Sequence, residues 1–261
     1  ASLDKRYIPF TLNAIKKSKK ITAVSGDTKD WVAKIFSKKY LEKIRIIPGG
    51  IDIKNFPQKK EIKNINKKYG LENKKVVLFS GKLTPLKGVK YFVKAAAKIK
   101  GDIYIIGDGS ELDKLKKLSK ELKLKNVHFL GYMGEQESEE LKNFYYRADV
   151  FVAPSIWDEP LGLVILEAMI CNTPVVVTRK GGIPLAVKDG YNGIFVRPRN
   201  SNQIAEAVNK ILDNEKLRKK LGENARKTVE EKFDWKKIAQ KFIRIYRKYA
   251  SKGNEKSNHK K

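Results

Sequence analysis

The stretch Ser155–Pro174, SIWDEPLGLVILEAMICNTP, decides how the whole chain is read. An apolar run, DVFVAPS (149–155), precedes it, and a second, PVVVT (174–178), closes it. Short apolar runs bounded by turn residues are the pattern of strands buried on both faces. The segment between them reads as a helix. It carries two carboxylates, Glu159 and Glu167, eight positions apart. On one helix these would lie about 80° apart. Pro160 is suited to the first helical position, which puts Glu159 in the preceding loop, beside the positive helix end, and Glu167 about two turns in. Gly162 leaves first-turn amides uncovered, an arrangement that binds anions. A carboxylate on the rim, bare amides and a deeper carboxylate suit a sugar–diphosphate–ribose ligand. The same residues also fit a plain amphipathic helix with Leu163, Val164, Leu166 and Met169 on a sheet and both carboxylates in solvent.

The neighbouring segments repeat the alternation. VVLFSGK (76–82) closes on Gly81-Lys82 and leads to a helix over 88–99. DIYIIGDG (102–109) leads to a helix ending near Leu122, and NVHFL (126–130) to one over 135–146. GIFVRP (193–198) precedes helices over 204–212, 215–231 and 234–250. Buried strands alternating with amphipathic helices specify an α/β, Rossmann-like, doubly wound parallel sheet. Upstream, residues 1–20 form a helix interrupted by Pro9. ITAVS (21–25) is a short strand, and 26–40 is a helix with apolar Trp31, Val32, Ile35 and Phe36. A strand over 44–47 closes on Pro48-Gly49-Gly50, and an irregular basic linker follows to about Tyr69.

Composition narrows the function classes. One cysteine, Cys171, among 261 residues excludes an intrachain disulfide framework. No apolar run is long enough to span a bilayer. With two histidines and one cysteine there is no metal-ligand cluster. Neither His128, inside a strand, nor His259, in the tail, joins a serine–histidine–aspartate set. The net charge of +28 is spread along the chain and is mostly lysine. A lysine-rich compositional bias explains it better than nucleic-acid binding, for which no zinc-finger, RNA-recognition or helix-turn-helix pattern is present.

The remaining candidates fall at strand ends, where ligands bind in open α/β sheets. Gly81 allows close backbone approach, and Lys82 and Lys87 can face a pyrophosphate as point charges or stand as solvated lysines. Gly107-Asp108-Gly109-Ser110 is a ligand loop or a tight turn with Ser110 as N-cap. Gly131-Tyr132-Met133 offers backbone groups to a base edge or forms a simple turn. Gly181-Gly182 begins a loop that covers a ligand or merely connects.

Taken in order, SGKLTPLKG, IIGDGS, FLGYM, PSIWDEPLGLVILEAMICNTPVVVT, GGIP and DGYNGIFVRP resemble the retaining nucleotide-sugar glycosyltransferases of family four, over residues 20–250. The resemblance implies a GT-B fold, two Rossmann-like domains across a cleft. It implies that Lys82 and Lys87 hold the donor diphosphate and that Glu167 accepts hydrogen bonds from the ribose hydroxyls. Glu159 contacts the transferred sugar, amides around Leu161–Leu163 meet sugar and phosphate, and 107–110 and 131–133 frame the base. It implies no metal and no cofactor, the sugar donor being a substrate. Lys82 stands where the family usually has arginine and cannot make the bidentate fork. Leu185 follows GGIP where an acidic residue is common.

The implied organisation is a remnant of the acceptor-side domain over 1–43, a linker over 44–72, and a donor-binding Rossmann-like domain over 73–233. A C-terminal helix over 234–250 and a disordered tail over 251–261 complete it. The expected activity is transfer of a sugar from a nucleoside diphosphate to an acceptor with retention of anomeric configuration. The alternative is a sugar-nucleotide binding module, inactive without a complementary acceptor-binding chain. On the first reading the isolated chain binds donor without transferring it. The expected partners are the nucleoside-diphosphate sugar, an acceptor, and either a missing N-terminal domain or an anionic membrane contacted peripherally. No nucleic acid is among them. The expected location is cytoplasmic, or peripheral at the inner membrane surface.

Overall fold

Alternate residues of the run VVLFS point into different cores. The computed structural model describes residues 5–58, 63–136 and 138–254. In it β3 (Val76–Ser80) is the centre of a six-stranded sheet with β4 (Asp102–Ile106), β5 (Val127–Gly131), β6 (Val150–Ala153), β7 (Val175–Thr178) and β8 (Gly193–Val196). The order is β5-β4-β3-β6-β7-β8, and every pairing is parallel. This is the doubly wound order that reverses at one switch point, here between β3 and β6. Leu78, Tyr104, Ile106 and Phe151 pack on one face with Phe144, Leu166 and Met169. Val77, Phe79, Ile103 and Val152 pack on the other with Phe92, Val93 and Val208. Burial on both faces explains why these strands read as continuous apolar runs rather than alternating ones.

The crossovers are α4 (Val89–Ala95), α5 (Leu112–Glu121), α6 (Ser138–Arg147), α7 (Leu163–Ile170) and the single turn α8 (Ile183–Ala186). Helices α9 (Ser201–Leu212) and α10 (Glu215–Lys232) follow β8, and α11 (Trp235–Asn254) ends the described chain. The helix expected over 88–99 divides into α4 and a 3-10 turn, Ala96–Lys98. The helix expected to end at 250 runs on to Asn254, so the expected tail begins as helix; 255–261 lie outside the described residues.

A small lobe precedes the sheet: α1 (Ile8–Lys17), β1 (Ile21–Ala23), α2 (Gly26–Ile35) and β2 (Ile44–Ile46), with β1 and β2 paired in parallel. Pro9 sits in the first turn of α1 and does not interrupt it, because that turn needs no amide donor. The helix expected over 26–40 ends at Ile35 and resumes as a 3-10 segment, Lys38–Lys43. Its buried residues are Ala33 and Tyr40, while Trp31 and Ile35 are each 37% exposed. The strand expected over 44–47 is β2, and the segment after it, expected to be irregular, holds a 3-10 turn (Ile53–Asn55) and α3 (Lys63–Tyr69). It is clamped where α10 meets α11: the Ile51 amide donates to the Phe233 carbonyl, and the Trp235 amide to the Ile51 carbonyl, both at 2.9 Å. Gly50 permits this crossing, since a Cβ there would lie 2.5 Å from the Phe233 carbonyl oxygen.

Candidate functional site

Three loops leave the carboxyl ends of β3, β4 and β5 side by side, tied by their backbones. The Gly81 amide donates to the Ile106 carbonyl (3.0 Å), the Leu83 amide to the Asp108 carbonyl (2.8 Å), and the Gly107 amide to the Gly131 carbonyl (2.7 Å). Glycine is required at Gly107, which has φ +140° and would place a Cβ 2.0 Å from the Gly81 carbonyl oxygen. The loops stack without side chains between them and leave a cavity of about 470 Å³ beside the switch point, lined also by α6 and α7. Gly81, Lys82, Gly109, Met133 and Glu167 all line it, joined by Ser80, Asp108 and Tyr145. Five residues singled out in the sequence, from four separate segments, thus meet on one cavity.

Glu167 owes its position to α7. The helix starts at Leu163, with Gly162 as its left-handed N-cap at φ 78°, so Pro160 lies in the loop and not in the first turn. Glu167 is therefore the fifth helical residue, just over one turn in and not two. Glycine is demanded at 162 because a left-handed backbone disfavours any side chain. Leu163, expected on the sheet, is 50% exposed, while Leu166 and Met169 are fully buried. The carboxylate Oε2 of Glu167 accepts from the Tyr145 phenol at 2.8 Å, and the Tyr145 oxygen lies 2.6 Å from Ser80 Oγ. Burial raises the Glu167 pKa above the usual carboxylate value, while the Tyr145 hydrogen bond and the nearby Lys142 charge pull it back. Burial also pushes the Tyr145 phenol well above its ordinary pKa, and the Glu167 charge adds to that.

Glu159 and Lys87 form a second cluster that does not line this cavity. Lys87 Nζ donates to both Glu159 oxygens, at 2.7 and 2.9 Å. Ser155 Oγ and Trp157 Nε1 also donate to Glu159 Oε2, at 3.2 and 3.0 Å. The Ile156 amide donates to the Leu86 carbonyl (2.9 Å), docking the loop that carries Glu159 on the loop that carries Lys87. Gly181 lies against the same loop: its amide neighbour Gly182 donates to the Glu159 carbonyl at 2.6 Å. A Cβ on Gly181 would lie 2.1 Å from that carbonyl oxygen. Lys82 is exposed and lines the cavity, whereas Lys87 is held by the carboxylate, so the two lysines are not equivalent. Of the other candidates, Leu161 is buried and Gly131 ends β5. Ser110 does not cap α5, whose N-cap is Glu111.

Sequence reasoning missed Tyr145, Trp157 and the partner role of Ser80. Tyr145 sits in α6 in a run of aromatics that reads as core, and only the packing of α6 beside β3 and α7 reveals its phenol. Among the described residues no group of three histidine, cysteine, aspartate or glutamate side chains could hold a metal. Among them, too, no helix is long and apolar enough to cross a membrane.

The family model "Glycosyl transferases group 1" matches residues 61–228. The chain belongs to the group 1 glycosyltransferases. It is 35% identical over 240 residues to the uncharacterized glycosyltransferase MJ1607 of Methanocaldococcus jannaschii, covering 88% of this chain and 60% of that protein. It is 31% identical to the D-inositol 3-phosphate glycosyltransferase of Corynebacterium jeikeium, over 81% of this chain and 53% of that one. The chain thus spans between half and two thirds of the length of these curated group 1 relatives. Among solved structures, Anabaena Alr3699/HepE in complex with UDP has the same fold, with a TM-score of 0.85, 24% identity, and coverage of 94% of this chain and 68% of that one. The C-terminal domain of the group 1 protein LpcC from Francisella tularensis superposes with a TM-score of 0.63 and 27% identity, covering 70% of this chain and 98% of that one. The six-stranded sheet and its helices are therefore the C-terminal domain of a GT-B glycosyltransferase.

Proposed function

We propose that this chain carries the donor side of a retaining glycosyltransferase that moves a hexose from a nucleoside diphosphate to an acceptor. The observation that carries this reading is the cavity at the switch point, where a half-buried carboxylate, an exposed lysine and glycine loops from three strand ends converge. The segments 107–110 and 131–133 frame the base. Glu167 accepts from the ribose hydroxyls. Lys82, with Lys87, neutralises the diphosphate as it leaves, the usual electrostatic contribution to such a departure. Glu159 faces the transferred sugar, held by Lys87, Ser155 and Trp157. Retention of configuration rests on the family resemblance, and these roles call for no resident metal. In this reading the chain works in the cytoplasm or peripherally at the anionic inner surface of a membrane, and the net charge of +28 suits the latter.

Calorimetric titration with UDP, GDP, their glucose and mannose derivatives, and the bare nucleosides tests the donor assignment. Lys82→Ala weakens diphosphate binding by about tenfold or more while leaving nucleoside binding unchanged. Equal losses for both ligands would remove the lysine from the diphosphate site. The anomeric configuration of a transferred sugar, read by NMR, tests retention. The alternative, a donor-binding module that works with a separate acceptor-binding chain, draws support from the two-stranded small lobe, where Trp31, Ile35 and Ile46 are exposed. Transfer by this chain alone would exclude it.

A further inference from the structure

We infer that Tyr145 is a positioning residue for the donor ribose: its phenol, fixed by Ser80, holds one oxygen of Glu167 and leaves the carboxylate poised for the ribose hydroxyls. The inference rests on the donor reading above and adds to it a residue that never touches the reacting atoms.

The direction of the hydrogen bonds follows from the donors available. An ionised carboxylate only accepts, and a phenol has one proton. Tyr145 therefore gives its proton to Glu167 Oε2, at 2.8 Å. Its oxygen must then accept, so the contact at 2.6 Å is a donation from Ser80 Oγ. The chain Ser80–Tyr145–Glu167 links β3, α6 and α7, the three elements that wall the cavity on this side. Ser80 is 3% exposed and Tyr145 1%, so water does not compete for either hydroxyl. All three residues line the cavity, and of the three only Glu167 ends in a carboxylate, with a second oxygen to offer.

A carboxylate on an eight-residue helix could otherwise rotate among several staggered positions. A carboxylate gripped at one oxygen presents the other in one orientation. The grip also favours the charged form of Glu167, against the burial that raises its pKa. Burial favours the neutral acid, which has one acceptor fewer for a sugar hydroxyl, and the phenol opposes this. The other charged or titratable groups around the pair are Lys142 on α6, Cys171 after α7, and Lys82, Asp108 and Tyr132 on the loops across the cavity.

The test compares UDP and GDP with their 2′,3′-dideoxy analogues by calorimetry between about pH 5.5 and 8.5. For the nucleotide that binds better, wild type prefers the ribo form by about tenfold. Tyr145→Phe keeps the ring and the packing. Its preference falls to about twofold and weakens more towards acid pH than that of wild type, because Glu167 without its donor ionises later. Ser80→Ala, which removes one hydroxyl, gives an intermediate loss of about threefold. It carries the test if Tyr145→Phe does not fold. Affinity for inorganic pyrophosphate stays unchanged in both variants. Failure of wild type to bind any of these nucleotides, or to prefer the ribo form, would overturn the donor or ribose assignment and this inference with it. Full retention of the preference by both variants across the pH range, with wild type discriminating, would overturn the positioning role alone.

Discussion

Replacing Lys87 with methionine leaves the Glu159 carboxylate without its only charged partner in the cluster. Lys87 Nζ lies 2.7 and 2.9 Å from the two carboxylate oxygens, and the side chains are 24% and 10% exposed. Two unit charges about 4 Å apart attract by about 4 kcal/mol at an effective dielectric of about 20, and desolvation of both groups offsets part of this. Breaking a buried pair from one side costs about 3–5 kcal/mol when nothing replaces the lost partner. Here Ser155 and Trp157 still donate to Glu159. The expected cost of Lys87→Met is therefore about 2–3 kcal/mol, or about 4–12 °C in Tm for a chain of this size. Glu159→Gln costs less, about 1–2 kcal/mol, because the partly exposed ammonium can turn to water. The double variant recovers about 1.5–2 kcal/mol of the summed loss. Urea unfolding of wild type, both single variants and the double variant, followed by circular dichroism, measures the coupling. A coupling below about 0.5 kcal/mol would mean that the pair is a solvated contact and would refute the reasoning. The same pair makes a functional prediction of opposite sign. Glu159→Gln leaves the Lys87 charge uncompensated beside the diphosphate, so nucleoside diphosphate affinity rises by about threefold.

Other outcomes follow from the same geometry. The folded-state pKa of Glu167 lies above its unfolded value. The native state therefore holds its proton longer, and stability falls as pH rises from the ordinary carboxylate pKa through the raised one. Glu167→Gln removes that slope, which urea midpoints between about pH 4 and 8 will show; an unchanged slope would place the titration elsewhere. Gly181→Ala drives a Cβ against the Glu159 carbonyl at a left-handed φ of 53°. The expected loss is about 2–4 kcal/mol of stability; a variant with wild-type Tm would show that the loop simply shifts aside. A chelator leaves nucleoside diphosphate affinity unchanged in calorimetry, and a marked weakening would show that a divalent cation takes part.

The sequence by itself determined the class of fold and the side of the sheet that works. Apolar runs such as VVLFS and DVFVA could only be strands covered on both faces, and the glycines and charged residues that follow them could only lie at the carboxyl ends. Gly81, Lys82, Gly109 and Met133 were legible for that reason, because strand ends in such a sheet converge, and Glu167 was legible from its spacing to Glu159 and from the family resemblance. What the sequence could not supply was the register of α7. Pro160 pointed to a helix start that the left-handed turn at Gly162 postpones, and no local propensity reports a preference of the whole loop. Nor could it separate the two lysines: spacing made Lys82 and Lys87 alike, and the docking of the 154–160 loop on Leu86 decided which one meets Glu159. Tyr145 was hidden among core aromatics. Its phenol acquires a role only when α6, β3 and α7 pack together, since a hydrogen bond between residues 22 and 65 positions apart is a property of tertiary structure alone.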